Sequence, residues 1–233
     1  MATLLLRLNA PLQSWGSESI YDNRETDNIP TKSGVIGLVA ASLGRKRTES
    51  VDDLVNLQFG VRIDEQGYRL RDYQTTQMGE KLNANLSNRI YLSDATFLAG
   101  LGYDDESFLR KIEEALRNPV FSPYLGRKSC PPTLPFVLGI RKENLLTALT
   151  EEEWQLPLER QRRLLRNQDS VKLRIIVDAE DKTGEALKKD VPISFSPFRR
   201  SYGYRCLAER KPREIYREEV ISITEHDAMS ELG

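Results

Sequence analysis

The sequence predicts an α+β fold of βαββαβ order, followed by a smaller, mainly β region. Three observations carry that expectation. Strand-like apolar runs recur at residues 3–9, 59–64, 90–101 and 134–140. An almost wholly apolar run at 35–43 lies between the first two and is too short to cross a membrane, so it reads as a buried helix. Between the last two, Phe108, Leu109, Ile112, Ala115 and Leu116 recur at helical spacing.

In chain order, residues 3–9 form a buried strand, since the opening segment has no basic leader ahead of an apolar core. Residues 11–30 are a long loop carrying Trp15, Gly16 and Arg24. The helix at 35–43 takes Ser33 as its N-cap and ends at Gly44. Ser50-Val51-Asp52-Asp53 resembles a capping box and starts a short helix that ends near Leu57. Runs at 59–64 and 68–73 flank Glu65-Gln66-Gly67, which predicts a hairpin. Residues 75–88 are polar and offer little to bury, so they project between strands as an arm. The chain returns as a strand at 90–101. A helix capped by Asp104 or Asp105 follows and stops before Pro119. A strand at 134–140 completes a ferredoxin-like, or RNA-recognition-like, domain over residues 1–140. Residues 141–233 form the β-rich region, with a polar helical stretch, a strong strand at 171–177 and short strands near Ile193, Tyr204 and Ile221.

The bulk numbers fit a globular protein with a highly charged surface. The chain has 233 residues, of which 30% are charged and 39% apolar. The formal net charge of −1 argues against a generally cationic protein. Positive charge is instead confined to patches, with seven basic and two acidic residues from 199 to 217, and six basic and one acidic from 160 to 174. The tail from 218 has five acids, no Lys or Arg, and the only histidine, His226. Cys130 and Cys206 lie far apart without metal-ligand spacing and read as reduced thiols of a cytoplasmic protein.

Chemistry is constrained by what is missing. A Ser/His or Cys/His engine needs a histidine, and His226 sits in the acidic tail. No cluster of ligands suits zinc, so neither a metal nor any other cofactor is expected. Lys32-Ser33 ends no glycine-rich phosphate loop, since no glycine lies between Gly16 and Gly34. Metal-independent RNA cleavage by Tyr, Lys or Arg stays open, as does a pure protein scaffold. The features that accumulate are anion contacts. Lys32 and Ser33 stand at a helix start, where dipole and backbone donors favour a phosphate. Arg45-Lys46-Arg47 follow that helix. Arg127-Lys128-Ser129 follow Gly126, and Arg199-Arg200 precede Tyr202 and Tyr204, interleaving basic and aromatic groups as single-stranded RNA sites do.

Several blocks also occur in a telling order. They are Asn9-Ala-Pro-Leu-Gln-Ser-Trp-Gly16, Pro30-Thr-Lys-Ser-Gly-Val-Ile-Gly37, Asp72-Tyr-Gln-Thr75, Tyr91-Leu-Ser-Asp-Ala-Thr-Phe97 and Tyr124-Leu-Gly-Arg-Lys-Ser-Cys-Pro131. Together they resemble the CasD family of the type I-E CRISPR Cascade complex, over roughly residues 1–140. The resemblance implies a non-catalytic subunit that binds and caps the 5′ handle of the CRISPR guide RNA in antiviral defence. Its partners would be CasC-type backbone subunits and a CasA-type large subunit, with target DNA met indirectly through the complex and no membrane. It makes the arm, at about 74–90, a β-hairpin thumb that hooks the RNA. It places Arg24, Lys32, Ser33, Asn88, Arg89, Tyr124, Arg127 and Lys128 near the handle. A type I-C relative cleaves precursor RNA with a histidine beside a lysine in a comparable loop. Here Ser129 follows Lys128, which sets the alternative, an endoribonuclease processing repeat RNA, behind the binding reading.

Overall fold

A computed structural model describes residues 1–16, 23–76, 85–179 and 186–222. It is an α+β fold around a large antiparallel sheet. The strands are β1 (Ala2–Asn9), β2 (Leu12–Gln13), β3 (Asn23–Arg24), β4 (Gln58–Glu65), β5 (Tyr68–Thr76), β6 (Asn85–Ser93), β7 (Thr96–Tyr103), β8 (Val137–Arg141), β9 (Ser170–Asp178), β10 (Ala186–Ser194) and β11 (Ser201–Tyr216). The helices are α1 (Lys32–Ser42), α2 (Asp52–Val55), α3 (Glu106–Arg117), α4 (Leu145–Glu151), α5 (Leu158–Leu165) and α6 (Arg217–Ser222). Seven strands form one sheet in the order β10-β11-β9-β4-β7-β1-β8. Strands β2, β3, β5 and β6 form a second, smaller one.

Strand alternation decides what each face of the large sheet covers. Leu4, Leu6 and Leu8 of β1, Phe59 and Val61 of β4, and Phe97, Ala99 and Leu101 of β7 join one core with Val35, Ile36 and Val39 of α1 and Leu109, Ile112 and Leu116 of α3. The alternate residues Leu5, Leu98, Ile175 and Val177 meet Leu145 and Leu149 of α4 on the opposite face. Glycines pave the way there. A Cβ on Gly100 would stand 2.6 Å from Leu145 Cδ1, and one on Gly60 would stand 2.8 Å from Leu149 Cδ1. Trp154, Leu165, Leu173, Ile215 and Val220 continue that face under α5 and α6.

A buried ion pair fixes the connection after α4. Arg62 and Asp64, both on β4 and both fully buried, meet at 2.7 Å. Arg62 also donates to the carbonyls of Leu149, Glu152 and Glu153 at 2.6–2.7 Å, and Asp64 accepts from the Gln155 N–H at 2.7 Å. Each charge is therefore met by further polar partners, as its burial requires.

Several expectations are corrected. The segments around Glu65-Gln66-Gly67 are not a hairpin, and residues 90–101 are not one strand. β4 pairs with β7 in the large sheet, whereas β5 pairs with β6 in the small one. Both segments, β4–β5 and β6–β7, switch sheets at the same level, at Gly67 with φ +67° and at Asp94 with φ +56°. The result is a bent two-stranded ribbon, rooted in the large sheet and continuing outwards as β5–β6. The expected arm at 75–88 is strand at both ends, and residues 77–84 lie outside the described set. Thr31, not Ser33, caps α1, its hydroxyl accepting from the Gly34 N–H at 3.2 Å. The second helix is a single turn with Val51 at its N-cap. Asp105 caps α3, accepting from the Ser107 N–H at 2.8 Å. The strands near Ile193 and Tyr204 are the two sides of one pairing, β10–β11. Ile221 lies in α6, not in a strand. The C-terminal strands join the N-terminal ones through β4–β9 pairing.

Candidate nucleic-acid interface

The site forms where α1 begins, and the Asn9–Gly16 block builds its floor. Gln13 is fully buried and donates to the carbonyls of Leu8 and Ala95 at 3.1 and 2.6 Å, while its oxygen accepts from Trp15 Nε1 at 3.0 Å. Trp15 then lies against the first turn of α1, so close that a Cβ on Gly34 would stand 2.9 Å from its ring. Ser14 N–H donates to Leu125 O at 3.0 Å and fastens the loop of residues 124–130 to the same floor. Gly126 makes that approach possible. It has φ +85°, and a Cβ there would stand 1.5 Å from Ser14 O.

Around this floor runs a cleft of about 420 Å³, with Arg24, Ser33, Arg127, Arg200 and Tyr202 in its walls. A narrower recess of about 180 Å³ adjoins it and adds Arg45, Lys46, Arg47 and Tyr124. Ser33, Gly34, Gly126, Phe195 and Arg200 line both, so the two form one groove along α1.

The register of the small sheet assembles the basic wall. β3 pairs in parallel with β6, setting Arg24 opposite Arg89 and Asn23 opposite Asn88. Arg127 donates to Arg24 O at 3.0 Å and stacks over the Tyr91 ring at 4.3 Å. Arg89 Nε, Arg127 Nη1 and Asn88 Oδ1 are buried atoms that make no hydrogen bond within the described residues. Burial alone would raise the Tyr91 phenol. Hydrogen bonds from Arg127, Ser129 and Arg89, with the Arg127 charge, outweigh it and hold the group below its ordinary value.

The remaining expected residues divide. Arg200 stacks on Tyr202 at 5.6 Å. Lys46, Arg47, Lys128 and Arg199 are exposed, and the last two flank the groove in sequence without lining it. Arg45 is clamped by Asp53 at 2.5 and 2.6 Å. That hydrogen bond, helped by the Arg45 charge, holds the Asp53 carboxyl below its usual range despite partial burial. Lys32 turns inward. It is buried, and its ammonium meets Asp178 at 3.0 Å. Its N–H donates to Asp190 at 2.9 Å, so this side chain does not face the groove with a free charge.

Sequence reasoning misses Tyr91, Trp15 and Phe195 as residues of the site. Tyr91 carries a readable signal, because Arg89 and Tyr91 are two apart on a strand and share a face. Among the described residues no group of three or more His, Cys, Asp or Glu side chains is placed to hold a metal ion. None of the described helices is long and apolar enough to cross a membrane.

The family model described as CRISPR-associated protein (Cas_Cas5) matches residues 3–207. Over 156 residues the chain is 37% identical to the CRISPR system Cascade subunit CasD of Escherichia coli, spanning 58% of this chain and 70% of that one. A chain of a solved CRISPR RNA-guided surveillance complex matches with a TM-score of 0.75 and 29% identity, covering 93% of this chain and 92% of that one. A solved Cas protein matches with a TM-score of 0.68 and 37% identity, covering 91% and 95%. The chain belongs to the Cas5 family of CRISPR-associated proteins.

Proposed function

We propose that this chain is a non-catalytic, cytoplasmic, RNA-binding subunit of a CRISPR Cascade surveillance complex, and that its groove along α1 holds and caps the 5′ handle of the guide RNA. The observation that carries the reading is the meeting of Arg24, Arg89, Arg127 and Arg200 beside aromatic surfaces, with donors on Arg89 and Arg127 that have no acceptor in the described residues. A phosphodiester supplies such acceptors, and the rings offer stacking to unpaired bases.

The order β8-β1-β7-β4, with α1 and α3 as crossovers, supports reading residues 1–140 as ferredoxin-like. On this reading residues 141–233 are a C-terminal β-rich region that closes the groove through Phe195 and Arg200. The β5–β6 ribbon is the thumb, with Asn88 and Arg89 midway along it, opposite Tyr73 and Asp72. CasC-type and CasA-type subunits are its protein neighbours, and the guide mediates contact with target DNA.

Binding of guide RNA with and without its handle, measured over a range of salt, tests this. Handle-bearing RNA should bind more tightly. Joint Arg24→Glu and Arg200→Glu should lower the log–log salt slope by roughly 1.4, about 0.7 for each single-strand phosphate no longer neutralised. Equal affinity for handle-free RNA overturns the reading. Repeat RNA incubated with the protein and a chelator should stay intact, because Ser129 follows Lys128 and Tyr91 is buried. Site-specific cleavage that disappears in Lys128→Ala would favour the endoribonuclease.

A further inference from the structure

On the sheet face opposite α1, helices α5 and α6 frame a second groove, of about 770 Å³. Five arginines line it, Arg160, Arg162, Arg163, Arg166 and Arg217, against a single carboxylate, Glu159. Three of the five are committed within the fold. Arg160 meets Glu65 at 2.9 Å, Arg162 meets Glu159 at 3.1 Å, and Arg217 donates to the carbonyls of Leu165 and Arg166 at 3.0 and 3.1 Å. Arg163 and Arg166 are exposed, and neither forms an ion pair among the described residues. They stand three residues apart, where like charges on a helix repel. The cleft next to it shares Pro157 and Arg160 and contains Arg7, whose buried Nε makes no hydrogen bond within the described residues. Glu65 and Asp94 also line that cleft, so the excess of positive charge belongs to the α5–α6 groove itself.

Among the described residues the lining has no aromatic side chain, and Leu165 and Val220 give it only a small apolar floor. Sites for unpaired bases combine basic groups with aromatic stacking faces, and this lining supplies only the basic groups. Protein hot spots rely on buried aromatic or arginine anchors in desolvated pockets, whereas Arg163 and Arg166 are exposed here. An arginine fork without stacking partners suits the phosphate backbone of a duplex, where charge is dense and bases stay stacked.

We propose that the α5–α6 groove is a second nucleic-acid site, which takes the phosphate backbone of double-stranded DNA without reading its sequence. It goes beyond the guide-RNA reading and stands or falls separately, because the two grooves lie on opposite faces of the sheet.

The test uses the full chain and a labelled short DNA duplex of scrambled sequence, with binding followed by fluorescence anisotropy over a salt series. Arg163→Glu with Arg166→Glu should weaken duplex binding by about tenfold or more and lower the log–log salt slope by roughly 1.8, about 0.9 for each phosphate. Binding of guide RNA should not change. If the reversed variant fails to fold by circular dichroism, Arg163→Gln with Arg166→Gln carries the same expectation with a smaller loss. Unchanged duplex affinity and slope overturn the proposal, as does the absence of duplex binding by the unaltered chain at low salt. Polyglutamate bound at these arginines in preference to the duplex overturns it too, and marks an acidic protein surface as the occupant.

Discussion

Asp190 Oδ2 accepts the backbone N–H of Lys32 at 2.9 Å, joining positions 158 residues apart in the chain. The contact satisfies one of the N–H groups that the first turn of α1 leaves without a helical partner. Arg205 clasps the same carboxylate at 2.6 and 2.8 Å and reaches Asp178 at 2.6 Å, while the Lys32 ammonium meets Asp178 from the other side. Two carboxylates from β9 and β10 thus hold the helix start and one arginine of β11 together. The groove along α1 is built by segments far apart in the chain.

Asp190→Ala should be severe. It strips its principal partner from a guanidinium that is only 8% exposed and frees the Lys32 N–H. Breaking a buried pair by removing one partner costs about 3–5 kcal/mol. Thermal unfolding should show a fall of roughly 10 °C at this chain length. A shift within about 2 °C would show that the pair contributes little.

Arg127→Glu and Lys128→Glu should separate positioning from binding. Lys128 is exposed, so its reversal should flatten the salt dependence of guide binding by roughly 0.7 in slope and leave thermal stability unchanged. Arg127 is stacked on Tyr91 and bonded to Arg24 O, so its reversal should lower both affinity and the melting temperature. An unchanged slope in both variants would remove this loop from the phosphate contacts.

Tyr91 gives the groove a pH signature. Its phenol is held below its ordinary value, so it ionises, as pH rises, before an exposed tyrosine does. The anion favours the folded state. Its stabilising contribution is lost below the folded value, grows as pH rises through it, and is complete above the unfolded one. A phenolate beside Arg127 and Arg89 also competes with phosphate. Binding of a 2′-O-methyl handle RNA, which resists alkaline hydrolysis, should therefore weaken on approaching pH 10, and Tyr91→Phe should lose that step. Superimposable pH profiles would contradict this.

The ribbon β5–β6 offers a deletion. Replacing residues 76–87 with a short Gly-Ser turn removes its outer end, where Leu86 stands exposed, and leaves Asn88, Arg89 and the large sheet in place. The shortened chain should unfold at a normal temperature and fail to retain guide RNA or assemble the complex, measured by co-purification. Full assembly with normal guide retention would exclude the thumb role.

Local chemistry in the sequence locates most elements, and non-local pairing explains the misses. The Pro30-Thr31-Lys32-Ser33 run marks the start of α1. Which hydroxyl caps it depends on the entry angle that Trp15 sets against Gly34. Gly67 is visible as a turn. That Asp94 turns at the same level, so that both strands change sheets, depends on a register composition does not carry. At the site, Arg24 and Arg127 are legible as basic loop residues, but the parallel β3–β6 pairing that sets Arg24 opposite Arg89 is not. Lys32 shows the limit most clearly. At a helix start it reads as a phosphate ligand, and only Asp178 and Asp190, far away in sequence, turn it into the anchor of the first turn.

On the proposed reading the handle of the guide lies in the groove along α1. Photo-crosslinking tests it most directly, with a photoreactive nucleotide in the 5′ handle, the complex assembled around it, and adducts located by mass spectrometry. Adducts are expected on the loop of residues 124–129 and on Phe195 to Tyr202, segments that contribute Tyr124, Gly126, Arg127, Phe195, Arg200 and Tyr202 to the groove walls. Adducts confined to α5 and α6 on the opposite face, or none on this chain while other subunits are labelled, would contradict it.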